Sequence, residues 1–407
     1  MPNLAKDKLC TGCLACKDVC PKSAIKIVLK NGLTHIAVDS NVCVDCKLCE
    51  KVCPIVSPVR KNEVLNMRAY GGWAKNPELR HNGASGGAFA GLAQSFMQLH
   101  KDNVAVYGAA LRDNNVKHER ITLESEIPIL MNSKYIQSLI DGIYGQVRSD
   151  LKNGLWVLFS GTPCQVAALY GFLGKNRDCE RLITVEIVCH GVPGKEALDI
   201  HLEHYNSSKI YSFRDKKNGQ KKSQYTTIER NGKPYRFVKR QEDLFYKIFS
   251  GCLLDRKSCS NCMYASINRV ADVTLADFWG GVRNANEYDE GVNVIIANNH
   301  KGVDFVENAD GIDVYRTTLL KAFCGNPRML NGFKFIQYHP FVLFPNFFRK
   351  VLPRKIWLQV VENRMPWKLI WAPFRLLTKE KNKIVKKNIE KKYGSLLNKW
   401  VLEKDEY

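Results

Sequence analysis

Apolar and polar residues alternate over two short stretches near the start of the chain. These are Ala24-Ile-Lys-Ile-Val-Leu and Leu33-Thr-His-Ile-Ala-Val, separated by Lys30-Asn-Gly. A period of two interrupted by Asn-Gly predicts a β-hairpin. From Tyr70 the pattern lengthens. Ala88, Phe89, Leu92, Phe96 and Leu99 recur at helical spacing, which predicts a helix over 85–100. Strands are expected at 104–110, at Leu155-Trp-Val-Leu-Phe159 and at 182–188, with helices over 165–173 and from about Lys195. Exposed strands are expected over 211–238, a helix over 241–251 and a strand over 271–276. Strand, tight turn and helix in repetition imply α/β packing with a mainly parallel sheet. Ligands of such sheets bind beyond the carboxyl ends of the strands.

The cysteines change the picture most. Cys10, Cys13, Cys16 and Cys20-Pro21 form a C-x2-C-x2-C-x3-C-P run, repeated by Cys43, Cys46, Cys49 and Cys53-Pro54. This is the ligand pattern of a two-cluster bacterial ferredoxin. Three thiolates on one tight loop reach one cube, and the fourth points to the other. The expected sets are Cys10, Cys13, Cys16 and Cys53 for one 4Fe-4S cluster, and Cys43, Cys46, Cys49 and Cys20 for the second. Zinc knuckles use two C-x2-C pairs without this proline stop. A third group, Cys252, Cys259 and Cys262, is spaced C-x6-C-x2-C. It needs a fourth thiolate, and either Cys164 or Cys189 stands at a suitable strand-to-helix turn, with Cys189 preferred. Zinc or free thiols are the alternative for these three. Cys179 and Cys324 match no motif and read as free thiols.

Charge adds a partner class. The 407 residues carry a net charge of +21. Between Phe341 and Tyr407, 16 Lys/Arg stand against 6 Asp/Glu. A basic surface suits nucleic acid, anionic lipid or an acidic protein. No nucleic-acid motif supports the first. Four prolines, Pro345, Pro353, Pro366 and Pro373, divide the aromatic tail, which favours short docked pieces over a membrane-surface helix. No secretion signal and no bilayer-length apolar stretch are evident, so a reducing cytoplasm is expected.

Four ordered motifs then carry a resemblance. Ser133-Lys-Tyr-Ile-Gln-Ser138, Phe159-Ser-Gly-Thr-Pro-Cys-Gln165, Val188-Cys-His-Gly-Val-Pro193 and Ala276-Asp-Phe-Trp-Gly280 resemble the family of beta subunits of coenzyme F420-reducing hydrogenase and dehydrogenase. Ala84-Ser-Gly-Gly87 and Val116-Lys-His118 are similar too. The resemblance spans about 70–326 and implies FAD and a further 4Fe-4S cluster. It does not fix the acceptor, because members act on different ones.

The turn residues fit a flavin in different ways. Ser85, Gly86 and Gly87 at a helix start offer backbone N–H groups to a pyrophosphate, although Ser85 would also serve as an ordinary N-cap. Gly161, Thr162, Pro163 and Gln165 open another helix, and Gln165 suits a ring edge. Lys134, with Gln137 and Ser138 in the same motif, offers a cation for a phosphate or a reduced ring. Asp277 suits a ribose or backbone amides. His190 is the candidate proton donor, with a turn role as the alternative.

The expected organisation is an α+β ferredoxin module with two 4Fe-4S clusters (1–60), linked by a polar stretch to an α/β flavin-binding domain. That domain has an N-terminal part (66–150) and a C-terminal part with the third cysteine group (151–330), followed by a basic aromatic tail (331–407). The expected function is an oxidoreductase passing electrons between a ferredoxin-like protein donor and an organic acceptor. The alternative is an electron-transfer subunit of a hydrogenase or dehydrogenase, with a partner subunit and no substrate of its own.

Overall fold

The computed structural model describes residues 1–330 except 218, 221–224, 240–241 and 280–284, together with scattered positions beyond 330. The hairpin forms as expected, with β1 (Ile25–Lys30) antiparallel to β2 (Leu33–Val38). Asn31 and Gly32 both take positive φ, 55° and 68°, as the tight turn demands. The two cysteine runs fold alike. Gly12 and Leu14 in the first and Asp45 and Lys47 in the second all have positive φ, and short helices follow at Ala15–Asp18 and Leu48–Lys51.

The body is built on an eight-stranded sheet. Its strands are β3 (Arg68–Ala74), β4 (Val104–Arg112), β5 (Asn115–Ile121), β6 (Trp156–Gly161), β7 (Leu182–Ile187), β11 (Val273–Asp277), β12 (Asn293–Ala297) and β13 (Ile312–Thr317). A separate three-stranded sheet holds β8 (Ile210–Ser212), β9 (Thr227–Arg230) and β10 (Lys233–Arg236). The order of the large sheet is β13-β3-β12-β11-β7-β6-β4-β5. Only the run β11-β7-β6-β4 is parallel, and its three pairings are outnumbered by four antiparallel ones. The sheet is therefore mixed rather than mainly parallel. One reason is legible: Asp113 and Asn114, at φ 48° and 62°, close a two-residue hairpin between β4 and β5.

Alternation along the strands sends residues to two faces. Val104, Val106 and Leu158 pack with the helix Ala88–His100 on one face. Ala105, Tyr107, Val157 and Phe159 pack on the other with the helices Ile143–Lys152 and Pro163–Leu173. The same cluster contains Cys13, Leu14, Ala15 and Val52. The cysteine-rich segment thus shares a core with the sheet, and a fully buried Leu14 alone contributes roughly 2 kcal/mol. The stretch expected to be a polar linker is stitched down as well. Asn62 donates from its backbone to the Arg269 carbonyl and from its side chain to those of Val270 and Ala271. Its polar composition serves backbone acceptors instead of solvent.

Most of the basic tail lies outside the described residues. Trp357 and Val361 are described and are buried, in an apolar cluster with Leu198, Phe213 and Phe245. Among the described residues no helix is long and apolar enough to cross a membrane.

Candidate functional site

Strands β6, β7 and β11 run parallel, so their carboxyl ends and the loops after them share one edge of the sheet. Asn293 ties a further loop to this edge. Its side chain accepts from Ala88 N at 3.0 Å and donates to the Ala276 carbonyl at 3.1 Å. Together these loops enclose a cavity of about 280 Å³. Ten of the expected site residues line it: Ser85, Gly87, Lys134, Gln137, Ser138, Gly161, Thr162, Gln165, Asp277 and His190. Gly86 and Pro163 do not. A Cβ on Gly86 would meet the Gly72 carbonyl at 2.7 Å, so that glycine serves close packing on β3. Pro163 is buried at the first turn of its helix, where a missing N–H costs nothing.

Several side chains expected to face a ligand are already committed. Ser85 donates its hydroxyl to the Val292 carbonyl at 2.6 Å, and the helix starts at Ala88 with Gly87 as N-cap. Gln165 accepts from Thr162 N at 2.9 Å and donates to Ser138 Oγ at 3.0 Å, closing a capping box. Asp277 pairs with Arg214 Nη1 at 2.9 Å and accepts from Gln220 at 3.3 Å. Gln137 accepts from Thr34 N at 2.8 Å and donates to the Gly12 carbonyl at 3.3 Å. These four shape the walls and hold the loops in register.

Two of the titratable groups at the cavity, Lys134 and His118, are shifted by burial. Lys134 donates to the Met131 carbonyl, and burial lowers it from the usual lysine value to about 7. His118 is buried on β5, bonded through Nε2 to the Ser160 carbonyl at 3.1 Å, and burial lowers it to about 4. The neutral ring stacks on Phe159 at 5.8 Å. His118 was singled out only by resemblance; its inward alternation with Val116 about the outward Lys117 is the signal its own residues carry. Close by, the buried Lys216 donates to the carbonyls of Arg80 and Ser85, and desolvation lowers it to about 7.

The cysteines gather into three groups. Burial raises Cys13 to about 12, and the neighbouring thiols that add to this are Cys10 and Cys53. Burial also raises Cys16, which feels Cys13, Cys10 and Cys53. Cys20, Cys43, Cys46 and Cys49 line one small cavity, with Cys46 exposed. Cys16 also feels Cys49 of the second run, so the two groups adjoin. The third group includes one of the two thiols expected as its fourth member, Cys164. After burial, the thiols that act most strongly on Cys164 are Cys262, Cys189 and Cys259. Cys252 is buried in an apolar cluster with Ile248, Leu253 and Leu254. Among the described residues no three Cys, His, Asp or Glu side chains converge on a point that would hold a single metal ion. Ligands of a cubane bind separate irons, so they surround a volume instead of meeting at a point.

Two buried tyrosines stand between these groups. Burial raises Tyr264, and the thiols adding to this are Cys164, Cys13, Cys262 and Cys53. Tyr144 is raised likewise, with Cys13 and Cys164 the leading charges. Cys13 of the first group and Cys164 and Cys262 of the third share one core with both tyrosines.

The site is that of an iron–sulfur protein with a ferredoxin-like 4Fe-4S domain packed on a mixed α/β sheet. Residues 9–56 match the 4Fe-4S dicluster domain family, and residues 155–320 match the family described as the C terminus of the coenzyme F420 hydrogenase/dehydrogenase beta subunit. Over those residues the body of the chain resembles the C-terminal region of that family. A component of the F(420)H(2) dehydrogenase of Methanosarcina mazei is similar, at 27% identity over 170 residues, 39% of this chain. The match covers 47% of that protein, so the chain spans about half the length of this relative. A chain of the xenon-derivatised F420-reducing [NiFe] hydrogenase complex from Methanosarcina barkeri is similar at 15% identity. That likeness covers 63% of this chain and 83% of the other, with a TM-score of 0.42.

Proposed function

We propose that this chain is the electron-transfer iron–sulfur subunit of an F420-linked hydrogenase or dehydrogenase type of complex. The carrying observation is Tyr264, which bonds the Pro54 carbonyl at 2.5 Å and packs in one core with Cys13, Cys164 and Cys262. Adjacent thiol groups inside one core suit a fixed relay. Cys43, Cys46, Cys49 and Cys20 would hold one 4Fe-4S cluster, and Cys10, Cys13, Cys16 and Cys53 a second. Cys164, Cys189, Cys259 and Cys262 would hold a third, with Cys164 taking the place expected for Cys252. FAD would occupy the cavity at the sheet edge, its phosphates toward the loop 83–87 and its ring toward Lys134 and His118. When bound, the clusters supply one-electron transfer and the flavin exchanges one electron for two.

The chain's own residues have separable tasks in this reading. The exposed Cys46 loop is the contact for a redox partner, either a ferredoxin-like donor or a neighbouring subunit. Tyr264 and Tyr144 fill the space between thiol groups and keep water out of it. Lys134 and neutral His118 face the two-electron end. Anaerobic protein should contain ~12 irons, against ~8 for two N-terminal cubes alone. Denaturation should release FAD, seen by absorbance and fluorescence. Iron near ~8 would remove the third cluster, and flavin-free protein after reconstitution would remove the cavity assignment.

A second reading is favoured by the cavity itself. Its exposed His190 stands within reach of a ligand, as a proton donor to an organic acceptor would. In that case the chain would turn over an acceptor without a partner subunit. Copurification with a large catalytic subunit, against turnover by the isolated chain with a metabolite panel, separates the two.

A further inference from the structure

Four arginines of the body, Arg214, Arg256, Arg269 and Arg328, are buried and stand beside the cysteine groups or the cavity, and Arg328 donates to the Cys259 carbonyl at 2.6 Å. Arg214 is paired with Asp277 at 2.9 Å, and Arg269 with Glu186 at 2.5 Å. Arg256 is 1% exposed and, among the described residues, has no such partner. Among the described residues its guanidinium donates to the Cys10 carbonyl at 3.2 Å, to Gln137 Oε1 at 3.0 Å and to the Thr34 carbonyl, and its Nε has no hydrogen-bond partner. All three acceptors are neutral. Its field reaches Asp7, but that carboxylate is exposed and bonded to His35 at 3.0 Å. A guanidinium cannot shed its proton, and a buried charge left with dipoles alone is expensive.

A 4Fe-4S cluster held by the neighbouring thiolates would supply the anion. Arg256 grips the backbone of Cys10, and the Cys10 thiol feels its charge. Gly12 is shaped to the contact. Its φ is +68°, and a Cβ there would stand 2.5 Å from Arg256 Nη2 and from Gln137 Nε2. Arg256 also lies in the loop that ends at Cys259 and Cys262, with its N–H bonded to the Val192 carbonyl at 2.9 Å.

We propose that Arg256 is the buried counter-charge of the group Cys10, Cys13, Cys16 and Cys53, and that it raises the reduction potential of the cluster held there. This rests on the cluster assignment above. Reduction by dithionite or a donor protein adds one electron to an already anionic centre. A fixed positive charge beside it favours the reduced state, most strongly where water is excluded. Arg256 is thus a positioning residue, acting through the cluster and on no substrate.

The test is an anaerobic redox titration of the full chain followed by electron paramagnetic resonance. Arg256→Gln should move one N-terminal signal to lower potential and leave the others in place. Arg256→Lys, which keeps the charge, should restore most of the shift. Gln137→Glu sets a carboxylate against the guanidinium in a near-identical shape and should lower the same signal if Arg256→Gln does not assemble. An unmoved potential in Arg256→Gln, or in Gln137→Glu where only that variant assembles, overturns the proposal. So does a lysine variant displaced as far as the glutamine one. The underlying assignment is read separately: Cys13→Ser should remove that signal and its iron, and an unchanged Cys13→Ser protein would overturn the assignment whatever Arg256 does.

Discussion

Tyr264 donates its hydroxyl to the carbonyl oxygen of Pro54 at 2.5 Å. Pro54 closes the second cysteine run, and Tyr264 stands two residues past Cys262. One hydrogen bond thus joins the ends of two cysteine-bearing segments that are 210 residues apart in the chain.

Tyr264→Phe leaves that carbonyl without its partner while keeping the ring. The loss should be about 1–2 kcal/mol, read as a lower denaturant midpoint with iron content unchanged. Tyr264→Ala removes the ring as well and should cost ~3–5 kcal/mol. A phenylalanine variant as stable as the wild type would mean that water or a shifted neighbour satisfies Pro54.

The third cysteine group makes a pairwise prediction. Cys164→Ser should remove about four irons and one paramagnetic signal, whereas Cys252→Ser should keep both. The reason is placement: Cys164 sits among Cys189, Cys259 and Cys262, and Cys252 among leucine and isoleucine side chains. The reverse result would restore Cys252 as a ligand.

Lys134 gives a pH dependence. Burial lowers it to about 7, while in the unfolded chain it holds its proton to about 10.4. Between these values the unfolded state binds more protons, so this group makes stability rise with pH, and its penalty is full below about 7. Lys134→Met removes the penalty. Its gain in melting temperature over the wild type should be largest near about pH 6 and shrink toward about pH 9.5. A gain that is constant across that range would contradict the burial of the charge.

Deleting residues 1–60 should not yield a well-behaved body. Leu14, Ala15 and Val52 cover Tyr144, Phe172 and Tyr264 in one cluster, so the deletion uncovers a large apolar surface. Aggregation or dye binding by exposed apolar surface is the expected outcome. A soluble, cooperatively melting truncation would show that the shared core contributes little.

Much of this was legible in the chain. Asn31-Gly32 fixed a hairpin because few residues accept two consecutive positive φ angles. The repeated C-x2-C-x2-C-x3-C-P run marked a ferredoxin-like 4Fe-4S domain, because such short spacings leave little freedom in how a loop presents its sulfurs. The tight turns after β6, β7 and β11 located the cavity, because parallel strands bring their carboxyl ends to one edge.

What tertiary structure alone decided is the use of each polar group. Gln165 and Asp277 look available in sequence, yet a capping box and Arg214 occupy them. Gln137 lines the cavity, yet Thr34 and the Gly12 loop take up its amide, and Cys164 lies near Cys189, Cys259 and Cys262. Buried donors and acceptors must find partners, and those partners come from segments distant in the chain. Local pattern specifies loops and strands within a dozen residues. Which side chains meet, and so which remain for chemistry, follows from how the cysteine-rich segment and the sheet share one core.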